Sequence, residues 1–99
     1  MTVRVDPEGR EIAALEELAG SLAGKHVLEI GCGDGRLTWR YAASAARVLA
    51  IDPDRDLIAA AREDLPSALA DRVELRATGI EELYAREASF DLAVFSWSL

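Results

Sequence analysis

Three glycines within five residues, Gly31, Gly33 and Gly35, follow directly on the apolar run Val27-Leu28-Glu29-Ile30. Val27 to Ile30 reads as a buried strand, and a helical pattern begins at once after Gly35. Glycine takes positive φ without a Cβ penalty, so such a loop turns sharply and brings its backbone N–H groups close to whatever lies in front of it. Those groups stand at the start of a helix, where unpaired donors and the positive dipole end favour an anionic group. A tight strand-to-helix turn with no ligand uses the same composition, so residues further along must decide between the two readings.

The remaining segments alternate in type. Asp6-Pro7-Glu8 starts a helix, and Ile12, Leu15, Leu18, Ala19 and Leu22 give it an apolar stripe punctuated by Gly20 and Gly24. The pattern after the glycines predicts a helix from about Gly35 to Ala45, with Leu37 and Tyr41 on one face. Val48 to Ile51 is a second buried strand ending in Asp52. Asp54 caps a further helix whose stripe is Leu57, Ile58, Ala61 and Leu65, stopped by Pro66. Val73, Leu75 and Ala77 alternate with Glu74 and Arg76, as a strand nearer the sheet edge does. Thr78-Gly79 turns into a short helical piece, Ile80 to Tyr84, and Phe90 to Phe95 forms a fourth strand. Strands alternating with helices imply a mostly parallel sheet of about four strands flanked by helices, an α/β architecture.

Eleven basic against eighteen acidic residues give a net charge of −7, which argues against unaided binding to a nucleic-acid backbone. No apolar run approaches the roughly 18 residues of a membrane span. The segment Met1 to Asp6 lacks the apolar core of a signal peptide, and a single cysteine permits no internal disulfide, so a cytoplasmic setting is expected. His26 has no cysteine or second histidine near it in sequence, and no metal is expected.

A dinucleotide-binding loop requires G-x-G-x-x-G, and the position of its third glycine is Arg36 here. A nicotinamide-dependent oxidoreductase is therefore disfavoured. With Glu29 two residues ahead of Gly31, the segment instead resembles motif I of the class I methyltransferases that use S-adenosylmethionine, and the resemblance extends from about Glu8 to Leu99. It implies a Rossmann-like fold, with residues 1–99 forming a single partial domain that supplies the cofactor-binding half. It also implies transfer of a methyl group from S-adenosylmethionine to an acceptor that is expected to be a small molecule.

The same resemblance assigns roles. Asp52, ending the second strand about twenty residues after the loop, would hold the ribose hydroxyls; a helix cap is the alternative, which Asp54 fills better. Pro53 and Ile80 fall where the adenine ring is flanked, although plain core packing suits Ile80 as well. Gly79 stands where relatives often carry an acid for the adenine amine. Gly31 and Gly33 form the cradle, and Cys32 contributes its backbone N–H. Glu29 would fix the loop and add negative potential near the cationic sulfonium, its partner lying within the chain or beyond it, since a buried acid needs one. Ser96 would touch the methionine part of the cofactor through its backbone, and Trp97 walls the pocket or packs elsewhere.

Trp39, Tyr41 and Tyr84 are expected to pack, and Glu16-Glu17 and Glu81-Glu82 to face solvent. No residue is assigned as a catalytic base. The chain ends after the fourth strand, whose unpaired edge would suit a second copy or a partner chain, so a non-catalytic cofactor-binding or strand-pairing fragment stands as the alternative to an enzyme.

Overall fold

The computed structural model describes residues 2–5, 20, 22–84 and 90–96. Its strands are β1 (Thr2–Val5), β2 (His26–Ile30), β3 (Arg47–Asp52), β4 (Val73–Ala77) and β5 (Leu92–Ser96). They form one sheet in the order β1-β5-β2-β3-β4, and every neighbouring pair is parallel. The helices are α1 (Thr38–Tyr41), α2 (Arg55–Asp64) and α3 (Ile80–Tyr84).

The central strands are apolar on both faces because both faces are covered, as parallel sheets require. In β3, five consecutive residues from Val48 to Asp52 are buried. Val27, Val48, Ala50, Val73, Leu75, Leu92 and Val94 pack with Leu22, Leu37, Tyr41, Ile58 and Ala61 in the main core. Leu28, Leu49 and Ile51 form a smaller cluster with Ile30, Ile80 and Phe90. The edge character expected of Val73 to Ala77 is present: among the described strands β4 pairs with β3 alone, and Val73 and Leu75 are buried while Glu74 is exposed.

Helix α2 begins where the sequence places it. The Asp54 carboxylate accepts hydrogen bonds from the N–H groups of Asp56 (2.9 Å) and Leu57 (3.2 Å), satisfying two orphan donors of the first turn. Ile58 and Ala61 face the sheet, and the helix closes at Asp64, two residues before Pro66. The Arg62 guanidinium donates to the Leu75 carbonyl at 3.0 Å, fastening this helix to β4. Arg72 donates to the carbonyls of Ala43 and Ala45, which holds the turn before β3 against the start of β4.

The parallel sheet flanked by helices is as expected, and two details differ. The sheet has five strands, because Thr2–Val5 adds to β5 in register from Thr2 opposite Ala93 to Val5 opposite Ser96. The strand called fourth from sequence, β5, therefore lies between β1 and β2, and its edge is not open to a second copy or a partner chain. Thr2-Val3-Arg4-Val5 alternates polar and apolar residues, but nothing in that alternation names its partner strand. The helix expected from Gly35 to Ala45 is a four-residue α-turn, Thr38–Tyr41, followed by a 3-10 turn over Ala42–Ser44. Positive φ angles persist through Gly35 and delay the helix, and Tyr41 at φ −118° tightens its end. The helix expected from Asp6, Trp97 and the side chain of Tyr84 lie outside the described residues.

Replacing Ile58 by Ala should lower the free energy of unfolding by roughly 2–5 kcal/mol, because the apolar face of α2 loses its central contact with the sheet. Glu63→Ala, on the exposed face, should change it by less than about 0.5 kcal/mol. Urea titration of both variants checks the docking of α2, and equal losses would contradict it.

Candidate functional site

The carboxyl ends of β2, β3 and β5 converge on the glycine loop, the place where open parallel sheets bind ligands. Gly31, Gly33 and Gly35 have φ of 81°, 58° and 88°. Two of them are also required by contact. A Cβ on Gly31 would stand 2.9 Å from the Ser96 carbonyl oxygen, and one on Gly35 would enter the Trp39 ring. Trp39 thus packs on the loop and the main core.

The loop amides do not form an open anion nest. The N–H groups of Gly31 and Cys32 both donate to the Ile51 carbonyl, at 2.9 and 3.0 Å, and that of Gly35 donates to the Cys32 carbonyl at 3.1 Å. The N–H of Gly33 donates to Asp52 Oδ2 at 3.0 Å. Cys32 therefore anchors the loop to the end of β3 with the N–H that was expected to face a ligand. Its thiol is buried, and that burial above all, with the Asp52 carboxylate adding to it, pushes its pKa far above the usual thiol range. A thiol so protonated is no nucleophile.

Asp52 is the acid that remains available. It is 8% exposed, and its second oxygen, Oδ1, accepts from the Asp54 N–H at 2.9 Å. An ionised carboxylate offers about four lone-pair positions. Two backbone donors leave one position on each oxygen, the arrangement that suits a pair of adjacent hydroxyls. The Asp52 carbonyl accepts from the Thr78 N–H at 3.1 Å, which brings the end of β4 beside the site. Pro53 is exposed next to it, Ile80 is half-buried in the smaller cluster, and a Cβ on Gly79 would meet nothing within 4 Å. Glu82, expected to face solvent only, accepts a hydrogen bond from the Thr78 hydroxyl at 2.7 Å.

Glu29 is wholly enclosed, at 0% exposure. Its partners lie within the chain: Thr38 Oγ1 and Tyr41 Oη each approach Oε1 at 2.6 Å, and Ser96 Oγ approaches Oε2 at 2.6 Å. The same Ser96 hydroxyl is 2.9 Å from the Gly31 carbonyl oxygen. Burial raises the Glu29 pKa above the ordinary carboxylate value, against the opposing effect of the three hydroxyls, and no cation is among the groups that perturb it. Tyr41 is held well above its usual value by burial and by Glu29. Thr38 and Tyr41 were not singled out from the sequence as partners. Their i, i+3 spacing on the helix that follows the loop was the available signal.

Ser96 presents its carbonyl to Gly31. The N–H of His26 donates to Asp91 Oδ2 at 2.9 Å, at the far end of β2. Among the described residues, no group of three or more His, Cys, Asp or Glu side chains could hold a metal ion.

Comparison with known proteins accords with this geometry. A family model described as a methyltransferase domain matches residues 27–99. A ubiquinone biosynthesis O-methyltransferase of Bordetella parapertussis is 40% identical over 74 residues, covering 74% of this chain and 30% of that protein. A namesake from Bordetella avium is 41% identical over 75 residues. The chain thus spans about 30% of the length of these curated relatives. Among solved structures, an S-adenosylmethionine-dependent methyltransferase from Mesorhizobium loti superposes with a TM-score of 0.69 at 27% identity, covering 93% of this chain and 42% of that one. A precorrin 8w decarboxylase from Methanobacterium thermoautotrophicum gives 0.73 at 26% identity, covering 90% and 49%.

Gly31→Ala should destabilise the protein by about 1–3 kcal/mol, since it forces a Cβ into a left-handed position and against the Ser96 carbonyl. Gly79→Ala, in open space, should stay within about 0.5 kcal/mol of wild type. Thermal unfolding of the two variants distinguishes them, and a tolerated Gly31→Ala would contradict the close approach of loop and β5.

Proposed function

This chain belongs to the methyltransferase-domain family, and we propose that it binds S-adenosylmethionine at the ends of β2, β3 and β5 in the service of methyl transfer to a small-molecule acceptor. The observation that carries the reading is the Asp52 carboxylate. It is fixed by two backbone donors, faces the glycine loop, and keeps one acceptor position on each oxygen for the ribose hydroxyls. Bound there, the cofactor supplies an electrophilic methyl group on a sulfonium.

The chain's own residues bind and orient. Gly31, lacking a Cβ, lets β5 and the loop close on one another, and Gly33 and Cys32 lock the loop to the end of β3. Pro53 and Ile80 would flank the adenine ring, with the open space at Gly79 leaving room beside it. Ser96 would meet the methionine portion through its backbone. Glu29, being fully enclosed, acts through Ser96 and α1. Holding an acceptor and a methyl donor in line lowers the barrier mainly through proximity and orientation, which is consistent with a site in which the described residues present no evident base. The names of the curated relatives support a hydroxyl oxygen as the acceptor atom. Residues 1–99 would form the cofactor-binding part of the domain. A cytoplasmic setting accords with the single cysteine, and among the described residues no helix is long and apolar enough to cross a membrane.

Calorimetric titration of the folded chain with S-adenosylhomocysteine should give saturable binding. Asp52→Ala should weaken it at least tenfold, about 1.4 kcal/mol. Equal affinities, or no binding by folded wild-type protein, would overturn the reading.

A further inference from the structure

The hydrogens around Glu29 can be counted. Four oxygen–oxygen contacts join its carboxyl group to its surroundings: Thr38 to Oε1, Tyr41 to Oε1, Ser96 to Oε2, and Ser96 onward to the Gly31 carbonyl. At 2.6 to 2.9 Å each is hydrogen-bonding distance. Thr38, Tyr41 and Ser96 bring one hydroxyl hydrogen apiece, so three hydrogens must serve four contacts. The Thr38 and Tyr41 hydrogens both point to Oε1. If Oε2 carries no hydrogen, the Ser96 hydrogen serves either Glu29 or Gly31, and the contact left without it sets two acceptor oxygens against each other inside the protein. A hydrogen on Oε2 completes the set: Glu29 donates to Ser96 Oγ, and Ser96 donates to the Gly31 carbonyl.

We propose that Glu29 is a positioning residue that keeps its own proton on Oε2 and passes a hydrogen bond through Ser96 to the Gly31 carbonyl, so that a neutral acid pins the glycine loop to the end of β5. The inference rests on the cofactor-site reading for its functional meaning, while the hydrogen count stands without it.

The surroundings suit an uncharged group. From α1 it is faced by Tyr41, which stays protonated, and from the loop by Cys32, which does likewise. The other charges near that thiol are the acids Asp52, at the end of β3, and Asp34, in the loop. β5 brings only the neutral Ser96 hydroxyl. Desolvation by burial opposes a negative charge sealed in this place, and among the groups that perturb Glu29 there is no cation to offset it. The negative charge offered to a cationic ligand is then that of Asp52, and Glu29 acts on the ligand through loop geometry. Loss of the proton would turn the Ser96 hydrogen from Gly31 to Glu29 and release the loop carbonyl.

The test compares wild type with Glu29→Gln. A glutamine amide reproduces the proposed hydrogens, since its oxygen accepts from Thr38 and Tyr41 and its NH2 donates to Ser96. A folded-state pKa raised above the unfolded value makes the stabilisation from Glu29 complete below about pH 4.5 and progressively smaller as pH rises through the folded value. Urea unfolding from pH 5 to pH 8 should therefore show wild type losing stability relative to Glu29→Gln, by up to tenfold in the unfolding constant per pH unit. A difference that is flat over this range, or that favours wild type as pH rises, would overturn the proposal.

Infrared difference spectra supply a second readout on wild type alone, should the variant fold poorly. The carbonyl stretch of a protonated carboxylic acid should persist at neutral pH, and its absence would equally overturn the proposal. Neither measurement involves the cofactor, so failure here is separable from failure to bind S-adenosylhomocysteine.

Discussion

A carboxyl group enclosed in a parallel sheet has to be matched hydrogen bond for hydrogen bond, or its burial would cost several kcal/mol. Glu29 meets that demand by drawing three hydroxyls from two directions, Thr38 and Tyr41 from the helix after the glycine loop and Ser96 from the end of β5. The strand that carries the acid, the helix that follows it in sequence and a strand 67 residues away are thereby held at fixed separations. The position of the loop follows from this. Its first glycine sits under the Ser96 carbonyl, too close for any side chain.

The opposite wall of the site is set by β3. Its last residues hold the loop twice, through the Ile51 carbonyl, which accepts two loop N–H groups, and through the Asp52 carboxylate, which accepts a third. A loop so anchored cannot serve as an open nest for an anion. What it presents is an acidic rim in which Asp52 retains acceptor capacity, matched to a ligand bearing adjacent hydroxyls and a positive charge. This distinguishes the site from a dinucleotide cradle, in which the third glycine brings helix and strand together to receive a pyrophosphate. Here Arg36 occupies that position, and its side chain turns instead to Asp34.

Much of this was legible in the chain because local chemistry and tertiary context agree. Buried apolar runs marked β2 and β3, Asp54 and Pro66 bracketed α2, and the alternation at Val73 to Leu75 marked an edge strand. Asp52 was singled out by its place at the end of a strand about twenty residues after the glycines, and its carboxylate accepts from the Gly33 N–H. The parts that escaped depend on contacts between distant segments. Thr2–Val5 is four residues long, and nothing local says that it adds to β5. The helix after the loop looked longer than it is, because apolar spacing continues through a 3-10 turn that periodicity does not separate from an α-helix. The destination of the loop N–H groups was hidden for a similar reason: composition shows that a backbone can approach a ligand, while only the sheet register shows that Ile51 reaches those groups first.

The most direct measurement of the central claim is the structure of the protein with S-adenosylhomocysteine bound. Both Asp52 oxygens should lie within hydrogen-bonding distance of the two ribose hydroxyls, with the loop still tied to β3 and Glu29 still sealed behind Ser96. A ligand seated elsewhere, or with its ribose turned away from Asp52, would contradict the assignment of this acid and the site built around it.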